Sequence, residues 1–142
     1  MRNGHSLLEL VVVLTIVSTV TALVTPKAAA WLDWIAVERA AQDFISAVAV
    51  TRHRAVLSGL RTQLDIARDS LRFYELSDTG WVAGGGWVGP GQFGVAVTVS
   101  NPTLAFDPLG LAVGPSNTRV VLERGLQVAT ITTSRLGRLK RW

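Results

Sequence analysis

The sequence predicts an α+β protein in which one long N-terminal helix packs on a C-terminal antiparallel β-sheet or β-sandwich domain. Three observations predict it. Residues 5–26 form an apolar run interrupted by a single acid, Glu9. Beyond Pro26 the apolar residues recur at helical spacing on one face. From Arg61 the period drops to two, and turn residues recur at short intervals. The 142 residues accommodate one compact domain and one extra element. A hydrophobic share of 49% excludes a disordered chain. The mean hydropathy of +0.35 is high for a small soluble domain, and the excess lies in the first thirty residues. With no cysteine, disulfides, CxxC redox chemistry and thiolate metal sites are excluded.

The first element is the apolar run. A helix over its 22 residues rises about 33 Å, enough to cross a hydrocarbon core. Two other readings stay open. One is a buried core helix, which would have to be apolar all round. The other is a cleaved secretory signal peptide, with Arg2 as its basic start and Ala28–Ala30 as its cleavage site, leaving a secreted soluble β domain. Against the signal peptide, the run is longer than a normal apolar core, Lys27 precedes the alanines and Glu9 lies inside. An acid at the middle of a membrane helix costs about 2.5–3.5 kcal/mol, and less near its end. Such a residue calls for a partner: a cation from another chain or a newly created amino terminus.

Gly4-His5-Ser6-Leu7-Leu8-Glu9 followed at once by an apolar helix resembles the processing signal of type IV pilins and type II secretion pseudopilins. The resemblance implies a leader over residues 1–4, cleaved after Gly4 by a prepilin peptidase. It implies N-methylation of His5, which stands where the family usually has Phe. Glu9 would neutralise the terminal amine of a neighbouring subunit during assembly. Pro26 lies where many pilin helices carry a kinking proline.

The helix is expected to continue to residue 58, with residues 5–26 as the transmembrane and assembly segment. Trp34, Val37, Ala41, Phe44, Ile45, Val48, Ala55 and Val56 share one arc, and Arg39, Gln42, Asp43, Ser46 and His53 lie opposite. Arg39 and Asp43 are spaced for an ion pair on the wet face. Arg52 falls in the apolar arc, so its stem packs while its head reaches outward. Gly59 reads as the stop. Trp31 and Trp34 suit a membrane interface.

Residues 59–142 form the β domain. Strands are expected over 62–67, 71–76, 93–99, 104–106, 111–113, 119–123 and 126–132, seven or eight in all, with no further helix. Turns fall at 68–70, 78–80, 100–103, 107–110 and 114–117. Residues 80–94 hold seven glycines and read as a flexible hairpin loop.

The helix end Arg52–Gly59, the turn Phe106-Asp107-Pro108-Leu109-Gly110 and the late Ser134-Arg135-Leu136-Gly137-Arg138 together look like the GspH/FimT group of minor pseudopilins and minor pilins. In the turn, Pro sets a dihedral and Gly relieves a positive one.

No zinc signature, Walker A motif or nucleophile elbow occurs. Gly84-Gly85-Gly86 lacks the Lys and the helix of a phosphate loop. Asp65 and Asp69 straddle a strand end and diverge. No catalysis, cofactor or metal is expected. From Gly59 the chain has nine Lys or Arg against six acids, and four of the nine are Arg135, Arg138, Lys140 and Arg141, followed by Trp142. Such a cluster can grip a phosphate backbone and stack on a base, or simply be a solvated last strand. FimT-like minor pilins use a Gly-Arg-x-Arg segment for DNA, and here it reads Gly137-Arg138-Leu139-Lys140. The first expectation is therefore a non-enzymatic minor pseudopilin in the tip of a periplasmic type II secretion filament, anchored in the inner membrane. Its partners would be other pseudopilins and the peptidase. The alternative is a type IV minor pilin that binds DNA through this basic segment.

Overall fold

The computed structural model describes residues 6–114 and 117–142. Two compact units result, one ending at Leu32 and the other spanning Asp33–Trp142. A helix, α1 (Leu7–Ser58), supplies residues to both.

In the first unit every described side chain is exposed, and an 18-residue window of α1 has a mean hydropathy of 2.5. From Leu10 to Pro26 the polar side chains are five hydroxyls, and each donates to the carbonyl four residues back. Thr15 bonds Val11 (2.7 Å), Ser18 bonds Leu14 (2.7 Å), Thr19 bonds Thr15 (2.8 Å), Thr21 bonds Val17 (2.8 Å) and Thr25 bonds Thr21 (2.7 Å). A hydroxyl satisfied inside its own helix carries no unmet donor into hydrocarbon. Pro26 sits within the helix, where it removes the bond its N–H would have made to Ala22.

In the second unit, α1 ends as expected, with Gly59 at φ 66 just past Ser58. Its buried stripe is Ala36, Val37, Ala40, Ala41, Phe44, Ala47, Val48, Thr51 and Ala55. Trp34 and Val56, expected in the buried arc, are exposed. The stripe is centred on small side chains, Ala36, Ala40, Ala41, Ala47 and Ala55 among them. Phe44 alone supplies an aromatic ring to it.

Among the described residues nine strands follow in two antiparallel sheets: β1 (Thr62–Ile66), β2 (Ser70–Ser77), β3 (Gly80–Val88), β4 (Ala96–Val99), β5 (Thr103–Phe106), β6 (Ala112–Val113), β7 (Thr118–Arg124), β8 (Gln127–Thr133) and β9 (Leu139–Arg141). One sheet has the order β3-β2-β1-β5-β6, the other β4-β7-β8-β9. Alternation sends Leu64, Ile66, Leu71, Phe73, Leu104 and Phe106 of the first sheet inward, and Val120, Leu122, Ala129 and Ile131 of the second. These residues and the helix stripe form one core. The Thr62 hydroxyl donates to the Thr51 carbonyl at 2.9 Å and ties β1 to α1.

Three expectations need correction. The stretch 80–94 is no flexible loop. Its first nine residues form β3, paired along β2 with an irregularity at Phe73/Tyr74, and Pro90–Phe93 form a short 3-10 turn. The glycines have a packing reason. The Phe73 ring lies against the bare backbone of Gly84, where a Cβ would overlap it. Second, nine strands form among the described residues where seven or eight are expected, and the basic segment, one of whose two readings is a last strand, contains β9. Third, the Arg52 head does not reach outward; it bonds two loop carbonyls.

Candidate functional site

Two surfaces correspond to the residues singled out in the sequence. Gly4 and His5 lie outside the described residues. Glu9 occupies the first turn of α1, and Pro26 lies further along the same helix.

The second surface is built on β7, β8 and β9. In β9, Leu139 pairs with Thr133, Lys140 with Thr132 and Arg141 with Ile131. The ladder continues through Trp142, whose N–H donates to the Thr130 carbonyl at 2.9 Å. A period of two divides the basic residues between the two faces. Arg141 shares the side of buried Ile131 and reaches α1, where it grips Glu38 bidentately at 2.8 and 2.5 Å. Gln42 also donates to Glu38 at 3.0 Å. Chiefly through the Arg141 bonds, the Glu38 carboxyl is lowered to about 2, and the Arg141 pKa is raised in return. Arg141 is thus committed to holding the helix.

Lys140 and Trp142 project from the opposite face. The Lys140 ammonium sits 3.4 Å from the centre of the Trp142 indole, a cation–π contact. Arg119, paired across the ladder with Thr132, faces the same side and lines a groove of about 250 Å³ with Thr130, Thr132 and Trp142. An adjoining groove of about 580 Å³ is lined by Asn117, Thr133, Ser134, Arg138, Lys140 and Trp142, among others. Arg135 is exposed in the preceding turn. The basic residues named in the sequence therefore do not act as one cluster. Arg138, Lys140 and Trp142 adjoin, Arg141 is engaged by Glu38, and Arg119 joins them. The alternation of β7, with Val120 and Leu122 inward, is the sequence signal that places Arg119 outward.

A third arrangement lies beyond any local pattern in the sequence. Arg52 Nε donates to the Gly110 carbonyl at 2.9 Å, and its terminal nitrogen donates to the Gly137 carbonyl at 3.4 Å. The first turn is held by the Asp107 carboxylate, which accepts from the N–H groups of Leu109 (2.9 Å) and Leu111 (2.8 Å). The second closes through Gly137 N–H to the Ser134 carbonyl at 2.9 Å. Both glycines have positive φ, 76 and 69, and a side chain at either would press on Arg52. Ala112 N–H donates to the Arg135 carbonyl at 2.9 Å, so the two turns also bond where the sheets meet.

One expected pair, Arg39 with Asp43, rearranges. Arg39 lies 4.8 Å from the Phe93 ring centre. Asp65 accepts from Gln63 (2.7 Å) and Thr103 (3.2 Å). Among the described residues no three His, Cys, Asp or Glu side chains gather as metal ligands.

Comparison with solved structures places this architecture. The type IV minor pilin FimU of Pseudomonas aeruginosa superposes with a TM-score of 0.61 at 14% identity, covering 74% of this chain and 91% of that one. A second crystal form of FimU gives a TM-score of 0.63. The minor pseudopilin EpsH from the type 2 secretion system of Vibrio cholerae gives 0.61 at 16% identity, over 74% of this chain and 94% of that one. The fold is the minor pilin fold. No protein-family model and no curated protein sequence matches the chain. The fold is thus shared at a sequence identity of 14–16%.

Proposed function

We propose that this chain is a non-enzymatic minor pseudopilin of a type II secretion apparatus. In this reading it is cleaved after Gly4, methylated at His5 and held in the inner membrane by residues 5–26, with residues 59–142 in the periplasm. It enters the filament tip through helix contacts with other pseudopilins. The observation that carries the reading is one helix bearing Glu9 in its first turn, an apolar segment whose hydroxyls from Thr15 to Thr25 are satisfied internally, and a pilin-fold domain on its second half. Glu9 would set register by meeting a neighbour's terminal amine.

Co-expression with a prepilin peptidase, followed by N-terminal sequencing and mass spectrometry of the membrane-extracted protein, tests this. The expected product begins at His5 with one added methyl group. A terminus at Trp31 overturns the reading. Glu9→Ala is expected to leave membrane insertion intact while abolishing recovery of the chain in sheared filaments.

One observation favours a second reading, a type IV minor pilin that binds DNA. Lys140, Trp142 and Arg119 share an outward face, beside Arg138. Cations track phosphates and an indole stacks on bases. With detergent-solubilised full chain, Arg119→Ala, Arg138→Ala or Lys140→Ala should each weaken DNA binding and flatten its salt dependence. The log–log slope should fall by roughly 0.7–0.9 for each phosphate no longer neutralised. Arg141→Ala should leave that slope unchanged. Absence of salt-sensitive binding by the unaltered chain ends this reading.

A further inference from the structure

We infer that the outward face of β7, β8 and β9 seats an unpaired base and so takes single-stranded DNA in preference to duplex, an inference that rests on the DNA-binding reading above. Trp142 stacks on the base, and Arg138 and Lys140 follow the phosphates beside it.

Trp142 lines both grooves on this face, whereas Lys140 lines only the larger. The Lys140 ammonium lies 3.4 Å from the centre of the indole. A ring that borders two grooves, with its cation on the side of one, offers its other face to the second. That second groove, of about 250 Å³, is completed by Arg119, Thr130 and Thr132. The ring is also held in place. Trp142 N–H donates to the Thr130 carbonyl at 2.9 Å, and Thr130 N–H donates to the Trp142 carbonyl at 3.5 Å. The backbone of Trp142 is therefore paired in the ladder while the residue is 69% exposed. An aromatic plate positioned before binding loses less freedom when a partner stacks on it.

The two grooves differ in chemistry. Arg138, Lys140, Asn117 and Ser134 give the larger one cations and neutral polar groups, which suit phosphate oxygens. In the smaller, the hydroxyls of Thr130 and Thr132 stand beside one cation, and a hydroxyl both donates to and accepts from a base edge. No acid lines either groove among the described residues. Glu123, the acid of β7 on this face, is four residues from Arg119, about 13 Å along the strand. The charge thus fits a polyanion, and the indole decides its form. In a duplex each base is stacked and paired, and an aromatic side chain reaches its face only after that stacking is broken. A single strand presents the face without that cost.

The test titrates detergent-solubilised full chain into a fluorescein-labelled strand of mixed sequence, and into the same strand annealed to its complement, at one salt concentration, with anisotropy as the readout. The single strand should bind more tightly. Trp142→Ala should weaken its binding by about 5- to 150-fold, the range for one stacked base. Duplex binding should stay unchanged, which also reports an intact fold. Trp142→Phe keeps a ring and should recover most of the loss. Equal losses on strand and duplex give the indole a structural role and overturn the inference. Tighter binding of the duplex overturns it too, and leaves the DNA-binding reading intact. Absence of salt-sensitive binding to either probe overturns both. An RNA strand of the same sequence, if bound more tightly than the DNA strand, assigns the site to RNA and overturns the inference.

Discussion

Arg52 Nε donates to the Gly110 carbonyl at 2.9 Å, joining the last turns of the helix to the Asp107–Gly110 turn, and the same guanidinium reaches the Gly137 carbonyl. One half-buried cation thus replaces water for two carbonyls in turns that belong to different sheets. Arg52→Ala should cost about 1.5–3 kcal/mol, the range for hydrogen bonds to a charged donor. Arg52→Lys should recover only part of it, since an ammonium lacks the planar fork that spans both carbonyls. Urea denaturation of the solubilised chain, read as a lower midpoint at unchanged slope, checks both.

The Glu38–Arg141 pair predicts acid sensitivity. Glu38 titrates at about 2 in the folded chain, below its ordinary value of 4.5. A depressed carboxyl stabilises the fold above its unfolded pKa and loses that contribution as pH falls through the folded value. The loss should therefore develop between about pH 4.5 and pH 2. Both side chains are about one-third exposed, so solvent screening holds the contribution to about 0.5–1 kcal/mol. Thermal melts of the unaltered chain and of Glu38→Gln should converge at the low end of that window, with the unaltered chain more stable near neutral pH.

Gly84 and Phe73 should behave as one unit. Gly84→Ala forces the new methyl into the Phe73 ring and should destabilise by about 1–3 kcal/mol. In Phe73→Leu the same alanine should cost less, a coupling measurable in a double-mutant cycle.

Thr118 and Thr133 face each other across β7 and β8, and their buried hydroxyls make no hydrogen bond among the described residues. Thr133→Val removes an unmet polar group while keeping the shape. It should leave stability unchanged or raise it by up to about 1 kcal/mol. Chemical denaturation against the unaltered chain decides.

The large divisions of the fold are legible in the sequence. The apolar run, the stop at Gly59 and most strands are readable because each rests on a local pattern or a turn residue. The differences arise where distant residues decide. Gly80–Val88 looks like a loop because glycine disfavours strands, yet the Phe73 ring on the neighbouring strand requires that bare backbone. Trp34 falls in the arc that helical spacing predicts as buried, but the buried stripe lies on the alanines beside it. The basic segment reads as one cluster because its pairing with β8 is not visible in sequence, and pairing is what turns Arg141 toward Glu38 on α1 and Lys140 to the opposite face. Arg52 gives a hint by standing in an apolar arc, but its acceptors lie 58 and 85 residues away.

The apolar half of α1 has a polarity that its hydropathy conceals. Thr15, Ser18, Thr19, Thr21 and Thr25 each spend their proton on their own helix. Their oxygens keep lone pairs directed outward, so the described residues from Leu7 to Pro26 present side-chain acceptors without side-chain donors. Two such surfaces cannot hydrogen-bond to each other unless one gives up an internal bond. Side-chain hydrogen bonding between identical copies is thereby discouraged, and a neighbour bringing a protonated nitrogen gains every contact that an identical helix forgoes. Choice among partners is then written into which end of each hydroxyl faces out.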